Sequence, residues 1–447
     1  MADPAMSVAP YWELTFDADG DTDGRERDRL LTGVGRHDVR DLVAFAHGWN
    51  SDRSGATRLY SRFFAPFPGL APKAGVGYVG VVWPSMRFSD EPIPDFPRAV
   101  AAEPPPRPVL DKDTRQALLE TFPGRATVID RIARLLDQQP REEQELEEYG
   151  RLVRLLVEVV PEGPQALCAA DTLSEGVPQS EPVMLSCATA QTCEEFARAL
   201  AELESPGGPV AGFSVPNPWD GAHELLRQAT YYAMKRRAGT VGERGLGRVI
   251  GQLATAAPEL RVHLVGHSFG ARLVSFALRG LPRGVRTVKS VTLLQGAFSH
   301  YAFAARLPHD AREGGMLQGQ TDRVDGPVVC CYSRHDAALS TMYPLASRMA
   351  DDDRTVLADA HGTAEGFDLG RTLGAKWGAM GHDGVQAVPG TKSLSLAEAL
   401  RAKLPASGCV NVDAAEVVRR GGAPAGAHSD ILHRELAQLV VTAGRIR

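Results

Sequence analysis

The sequence lacks what a membrane protein, a nucleic-acid binder or a disulfide-built secreted domain would need. It has no run of about 18 apolar residues, so no transmembrane helix is expected. The opening Met-Ala-Asp-Pro-Ala-Met has neither a basic n-region nor an apolar h-region, and no secretory signal is expected. Positive charge is not in excess. The net charge is −6 at pH 7, which removes the basic field that nucleic acid or an anionic lipid surface would require. Cysteine is sparse: the six residues Cys168, Cys187, Cys193, Cys330, Cys331 and Cys409 show no metal-ligand spacing, and two of them adjoin in an apolar run. They read as reduced thiols of a cytoplasmic protein, with a Cys187–Cys193 disulfide as the alternative. Asp19-x-Asp21-x-Asp23-Gly24 opens like a calcium loop, but its twelfth position is Leu30, where a bidentate carboxylate is needed. The stretch reads as an acidic surface turn.

What is present is organised around one stretch. The apolar run Val262, Leu264, Val265 meets Gly266-His267-Ser268-Phe269-Gly270, and Ala271, Leu273, Val274, Phe276, Ala277 and Leu278 follow at helical spacing. By chance alone Gly-x-Ser-x-Gly should arise about 0.2 times in a chain this rich in glycine, so the flanking pattern carries the inference. A strand, a turn too sharp for any Cβ two residues either side of the serine, and then a helix make up the context of a nucleophile elbow. The helix would aim its free N–H groups and positive dipole end at the serine. The alternative is an ordinary glycine-rich turn.

The rest of the chain suits such a turn. Residues 11–16, 39–46, 76–82, 287–294, 327–332 and 410–413 read as strands, and residues 56–64, 219–237, 241–256 and 431–443 as helices, with a break expected at 239–242. Alternating strands and helices predict an α/β fold with a mostly parallel sheet flanked by helices. Residues 86–216 break that alternation. They begin Pro-rich (Pro92 to Pro106) and continue as amphipathic helices at 114–120, 127–137, 142–159 and 192–203. They read as a large, mainly helical insertion into a core formed by 10–85 and 217–447. Residues 345–408 read as irregular.

A serine becomes a nucleophile only beside a base that an acid orients. Asp336 follows the 327–332 strand and would lie at the same sheet edge as the elbow; its other reading is a helix N-cap. Asp325 precedes that strand, at the wrong end. His428 follows the small residues 421–427 and the last strand, and is the expected base. His361 and His382 are its rivals, and His433 is expected inside the closing helix. The developing oxyanion needs N–H donors: Phe269, directly after the serine, and Trp49, in a loop shaped by Gly48 after the second strand. His47, His267 and Trp83 are expected to contact substrate, with Phe88 beside Trp83 along an acyl pocket.

With His47-Gly48-Trp49-Asn50 after one strand, Gly266-His267-Ser268-Phe269-Gly270 at the elbow, Asp336 and His428, the chain resembles the α/β-hydrolase superfamily over residues 39–85 and from 259 onward. The resemblance implies Ser-His-Asp hydrolysis of a carboxylic ester or related acyl bond, of a small-molecule or lipid-like substrate, without metal or organic cofactor. The superfamily also holds lipases, thioesterases, peptidases, transacylases and non-catalytic interaction modules, and the insertion at 86–216 matches no cap that would choose among them.

Overall fold

The computed structural model describes residues 6–49, 51–73, 75–86, 88, 110–157, 166–174, 177–178, 183–204, 217–339, 378–422 and 426–447. Its strands, in chain order, are β1 (Tyr11–Thr15), β2 (Asp41–Ala46), β3 (Val76–Val82), β4 (Thr172–Ser174), β5 (Val177–Pro178), β6 (Arg261–His267), β7 (Val288–Leu294), β8 (Glu313–Gly315), β9 (Val328–Tyr332), β10 (Lys392–Ser395) and β11 (Cys409–Asp413). Eight of them form one sheet in the order β1-β3-β2-β6-β7-β9-β11-β10, and every neighbouring pair is parallel. A parallel sheet is covered on both faces, so its central strands must be apolar throughout. Every residue of β2 is buried, as are Val262–His267 of β6. The sequence Asp-Leu-Val-Ala-Phe-Ala sends Leu42, Ala44 and Ala46 to one face and Val43 and Phe45 to the other.

The two faces bury different partners. Leu42, Ala44 and Ala46 share a core with the helices Gly24–Arg36, Pro218–Thr240, Gly247–Ala256 and Phe269–Arg279, and with the insertion. On the other face Phe45 packs against the helix Arg53–Phe64, its ring 4.7 Å from Phe63 and 5.4 Å from Tyr60. The closing helix Arg434–Gly444 completes that side with Leu436, Leu439 and Val440. Because all the strands run one way, the loops after β2, β6, β7, β9 and β11 leave from a single edge. Among the described residues no helix is long and apolar enough to cross a membrane.

The insertion is helical where expected, at Lys112–Thr121, Ala126–Gln138, Glu143–Val157 and Thr189–Glu204; the stretch from Pro92 to Pro106 lies outside the described residues. It also carries strands that its sequence did not announce. β4 pairs antiparallel with β5 and with β8, a three-stranded patch tying residues 172–178 to the chain after β7. Residues within 345–408 are more regular than expected: β10 extends the main sheet, and Met380–Asp383 and Leu396–Arg401 are short helices. The break expected at 239–242 is instead a π-wound stretch, Val241–Leu246, joining two helices without a gap. Gly242 is there for closeness, since a Cβ on it would lie 2.2 Å from the Leu273 carbonyl oxygen on the helix after Ser268.

The acidic stretch near the N-terminus serves local structure. Asp17 Oδ1 accepts the amides of Asp19 and Asp21 at 3.0 and 2.9 Å, and Asp23 caps the helix Gly24–Arg36. None of the six cysteines forms a disulfide, Cys187 and Cys193 included. The closing helix begins at Arg434, later than expected, so His433 is its N-cap position and not an interior residue. Asp430 does not cap that helix. Its carboxylate accepts the amides of Arg419 and Arg420 at 3.0 and 2.8 Å and the His433 ring at 2.9 Å.

Candidate active site

The turn after β6 folds as its glycines require. Ser268 has φ 54 and ψ −120, a left-handed conformation that costs a non-glycine residue on the order of 1–3 kcal/mol. The end of β7 and the loop after it hold it there: the Ser268 amide donates to the Leu294 carbonyl at 3.0 Å, and its own carbonyl accepts the amide of Ala297 at 3.3 Å. A Cβ on Gly266 would lie 2.3 Å from the Gly270 oxygen, and one on Gly270 would lie 2.0 Å from the Ala46 oxygen of β2. Neither position admits another residue without moving the backbone.

Three loops from the same sheet edge meet at this turn. His428 Nε2 lies 2.9 Å from Ser268 Oγ, and His428 Nδ1 lies 2.8 Å from Asp336 Oδ2. The bonds assign the tautomer: Nδ1–H donates to the carboxylate, leaving the Nε2 lone pair to accept the serine hydroxyl. Asp336 is fully buried. Its other oxygen, Oδ1, accepts the Leu339 amide at 3.1 Å, so one carboxylate both caps a turn and orients an imidazole. The two readings of this residue from sequence are therefore compatible. Of the rival histidines, His361 lies outside the described residues. His382 sits on the helix Met380–Asp383 with Nε2 3.9 Å from Asp383.

On the β2 side, a Cβ on Gly48 would lie 2.7 Å from the Cβ of Ser268, so the loop passes directly over the Ser268 turn. His47 is buried, which pushes its pKa down to about 4 and keeps it neutral. Its Nδ1–H donates to the Gly48 carbonyl at 2.8 Å. In a planar trans peptide the N–H points opposite to the C=O. Fixing the Gly48 carbonyl therefore fixes the direction of the Trp49 amide. Neither that amide nor the amide of Phe269, the first residue of its helix, donates to a carbonyl of the described residues. Trp83 stacks on His47 with ring centroids 5.5 Å apart and donates its indole N–H to the His47 carbonyl at 2.9 Å.

Three residues assigned from sequence to substrate contact are thus engaged elsewhere. His47 and Trp83 brace the Gly48 loop. His267 is buried, and its Nε2–H donates to the backbone carbonyl of His428 at 2.8 Å. A side chain's type announces its bonding capacity, whereas its partner depends on the fold. Other residues here gave no local signal. The Tyr60 hydroxyl accepts the His47 amide at 3.1 Å and donates to the Val81 carbonyl at 2.5 Å. Tyr231 comes from the helix Pro218–Thr240, its ring 4.6 Å from Phe269 and 5.3 Å from Trp49. With Phe88, 6.1 Å from Trp49, these rings make an aromatic wall beside Ser268. Gln295, directly after β7, is fully buried with φ 44, and neither of its amide atoms has a hydrogen-bond partner among the described residues. Behind the wall, buried Arg272 contacts Asp171 at 3.0 Å, and Lys235 contacts the same carboxylate at 2.8 Å.

Among the described residues no group of three or more His, Cys, Asp or Glu is arranged to hold a metal ion. No protein-family model, curated protein or solved structure matches this chain.

Proposed function

We propose that this chain is an α/β-hydrolase that cleaves a carboxylic ester or a related acyl bond through an acyl-enzyme. The observation that carries the reading is the hydrogen-bonded relay from Ser268 Oγ through His428 to the buried Asp336, at 2.9 and 2.8 Å, on a serine held in a strained turn at a helix N-terminus. Ser268 Oγ attacks the acyl carbonyl and passes its proton to His428 Nε2. Asp336 stabilises the imidazolium through Nδ1–H. The carbonyl oxygen, now negative, receives the amides of Phe269 and Trp49. Collapse of the intermediate breaks the bond to the leaving group, which departs with the proton from His428. Water then attacks the acyl-serine, loses its proton to the same nitrogen, and the acid is released as Ser268 regains its hydrogen.

The wall of Trp49, Tyr231, Phe269 and Phe88 suits an apolar acyl or alcohol portion, hence a small-molecule or lipid-like ester as substrate. Thiols that are mostly buried and form no disulfide suit a reducing, cytoplasmic setting. The test is hydrolysis of p-nitrophenyl esters of increasing chain length, with labelling of the protein by a fluorophosphonate probe. Wild type should turn over the esters and take the label, and Ser268→Ala should lose both, with a rate loss on the order of 10³-fold or more. Equal activity in the two proteins rejects the reading. Label without turnover points to an interaction module that kept its nucleophile, and transfer to an added alcohol identifies a transacylase.

A further inference from the structure

His267 has no part in the relay itself, yet it touches His428, the relay's middle member. His428 lies in a loop that returns from β11 and must cross β9 and β7 to reach the turn after β6. On its acid side that loop is held by backbone: the Ala427 amide donates to the His335 carbonyl at 2.9 Å, and Gly426 pairs with Asp336 as an isolated bridge. Gly426 sits at φ 60, and a Cβ there would lie 2.6 Å from the His335 oxygen, so the approach is as close as backbones allow. Further along, Asp430 ties the loop to Arg419 and Arg420. On the nucleophile side, the tie to the loop's backbone comes from His267 Nε2–H to the His428 carbonyl at 2.8 Å. The two rings lie 5.1 Å apart.

We propose that His267 is a positioning residue: with Ser268 it grips His428 at two points, carbonyl and ring Nε2, and so keeps the base in line with the serine hydroxyl. Adjacent residues of one rigid turn hold both parts of the histidine: the bond to the carbonyl fixes where its backbone sits, and the ring's bonds to Ser268 and Asp336 set its torsions from there. The tie needs a proton on Nε2, which a neutral ring carries only in one of its two tautomers. Burial keeps the ring neutral, pushing the His267 pKa down to about 3, the carbonyl acceptor places the one proton on Nε2, and the neighbouring His428 adds to the shift when it becomes cationic.

The inference rests on His428 being the base, and the experiment separates the two. His267→Leu removes the donor at similar bulk, whereas His267→Gln keeps an N–H at nearly the same reach. Both are checked for folding by thermal melt and compared in ester kinetics and in the rate of fluorophosphonate labelling. The Leu variant should lose about 10- to 100-fold in kcat and in labelling rate, the effect of a base displaced by a fraction of an ångström, with KM within about threefold; the Gln variant should recover most of the rate. A folded Leu variant at wild-type kcat, or equal losses in the two variants, overturns the proposal. If the Leu variant does not fold, long-range ¹H–¹⁵N spectra of wild type decide: a protected His267 Nε2–H between pH 5 and 8 supports the tie, and an Nδ1–H tautomer or free exchange overturns it. Wild type that neither hydrolyses esters nor takes the probe, with that proton still protected, removes the hydrolase reading and leaves the tie.

Discussion

Gly48→Ala tests the geometry of the proposed site without touching a group that does chemistry. The added Cβ would stand 2.7 Å from Ser268 Cβ, 3.1 Å from His267 Nδ1 and 3.2 Å from the His267 carbonyl oxygen. Carbon atoms rest at about 3.5–4.0 Å, so the loop and the Ser268 turn must separate by roughly 0.8 Å or more. The turn cannot yield easily, because Gly270 already abuts the Ala46 oxygen and Ser268 is bonded on both sides to the chain after β7. The Gly48 loop must therefore rise, taking the Trp49 amide with it. Overpacking of this size costs about 1–3 kcal/mol of stability, which leaves the protein folded. A donor moved by most of an ångström from a developing oxyanion is expected to reduce kcat on the order of 10²-fold. The assay is steady-state ester hydrolysis beside a thermal melt. A variant that melts a few degrees lower but keeps wild-type kcat would refute the placement of the Trp49 amide as an oxyanion donor.

Three further outcomes follow from buried polar groups. His267 and His47 have pKa values pushed down to about 3 and about 4 by burial, so below pH 6.5 the unfolded chain binds protons that the folded chain refuses. Stability from these groups is complete above pH 6.5 and falls with pH below it, by about 2 kcal/mol per imidazole at pH 5; urea midpoints that do not change between pH 7 and 5 would contradict this. Gln295→Met removes two buried amide atoms that have no partner among the described residues and should raise the urea midpoint by an amount equivalent to about 1–3 kcal/mol, whereas a lower midpoint would show that the carboxamide is bonded in solution. Arg272→Met breaks the contact to Asp171 together with bonds to the Cys168, Ala170 and Lys235 carbonyls. It should cost about 3–5 kcal/mol and hasten proteolysis around residues 166–174, which unchanged cleavage would disprove.

The readable parts of this chain were those where local chemistry decides the structure. Gly266 and Gly270 flank a turn that no other residue can make, and the apolar runs of β2, β3, β6, β7 and β9 are demanded by burial on both faces. β10 was invisible for the converse reason. Lys-Ser-Leu-Ser at the sheet's edge is largely exposed, so burial imposes no pattern on it and only the backbone ladder to β11 makes it a strand. β4, β5 and β8 are too short for alternation to register. Gly239 and Gly242 invited the reading of a helix break, because glycine marks both flexibility and close approach, and only the neighbour at Leu273 distinguishes them. In the site, the residues that sequence placed at the sheet edge do converge there. What it could not supply was which imidazole would hold a loop and which would hold a peptide plane.

Asp336 and His428 stand far apart in the sequence, and the topology brings their loops side by side. The intervening chain goes out to the edge strand β10 and returns through β11, which pairs directly with β9, Asp413 opposite Tyr332. The loops carrying the acid and the histidine thus begin at the same level on adjacent strands, about 4.8 Å apart. Ser268 is farther off, because β7 and β9 stand between β6 and β11, some three strand spacings or roughly 14 Å. A histidine side chain reaches less than half of that. The loop itself must therefore lie across the ends of β9 and β7, and a loop in that position needs anchors along its path. It has them where the strands below offer them: Ala427 on His335 above β9, and the His428 carbonyl on His267 at the end of β6.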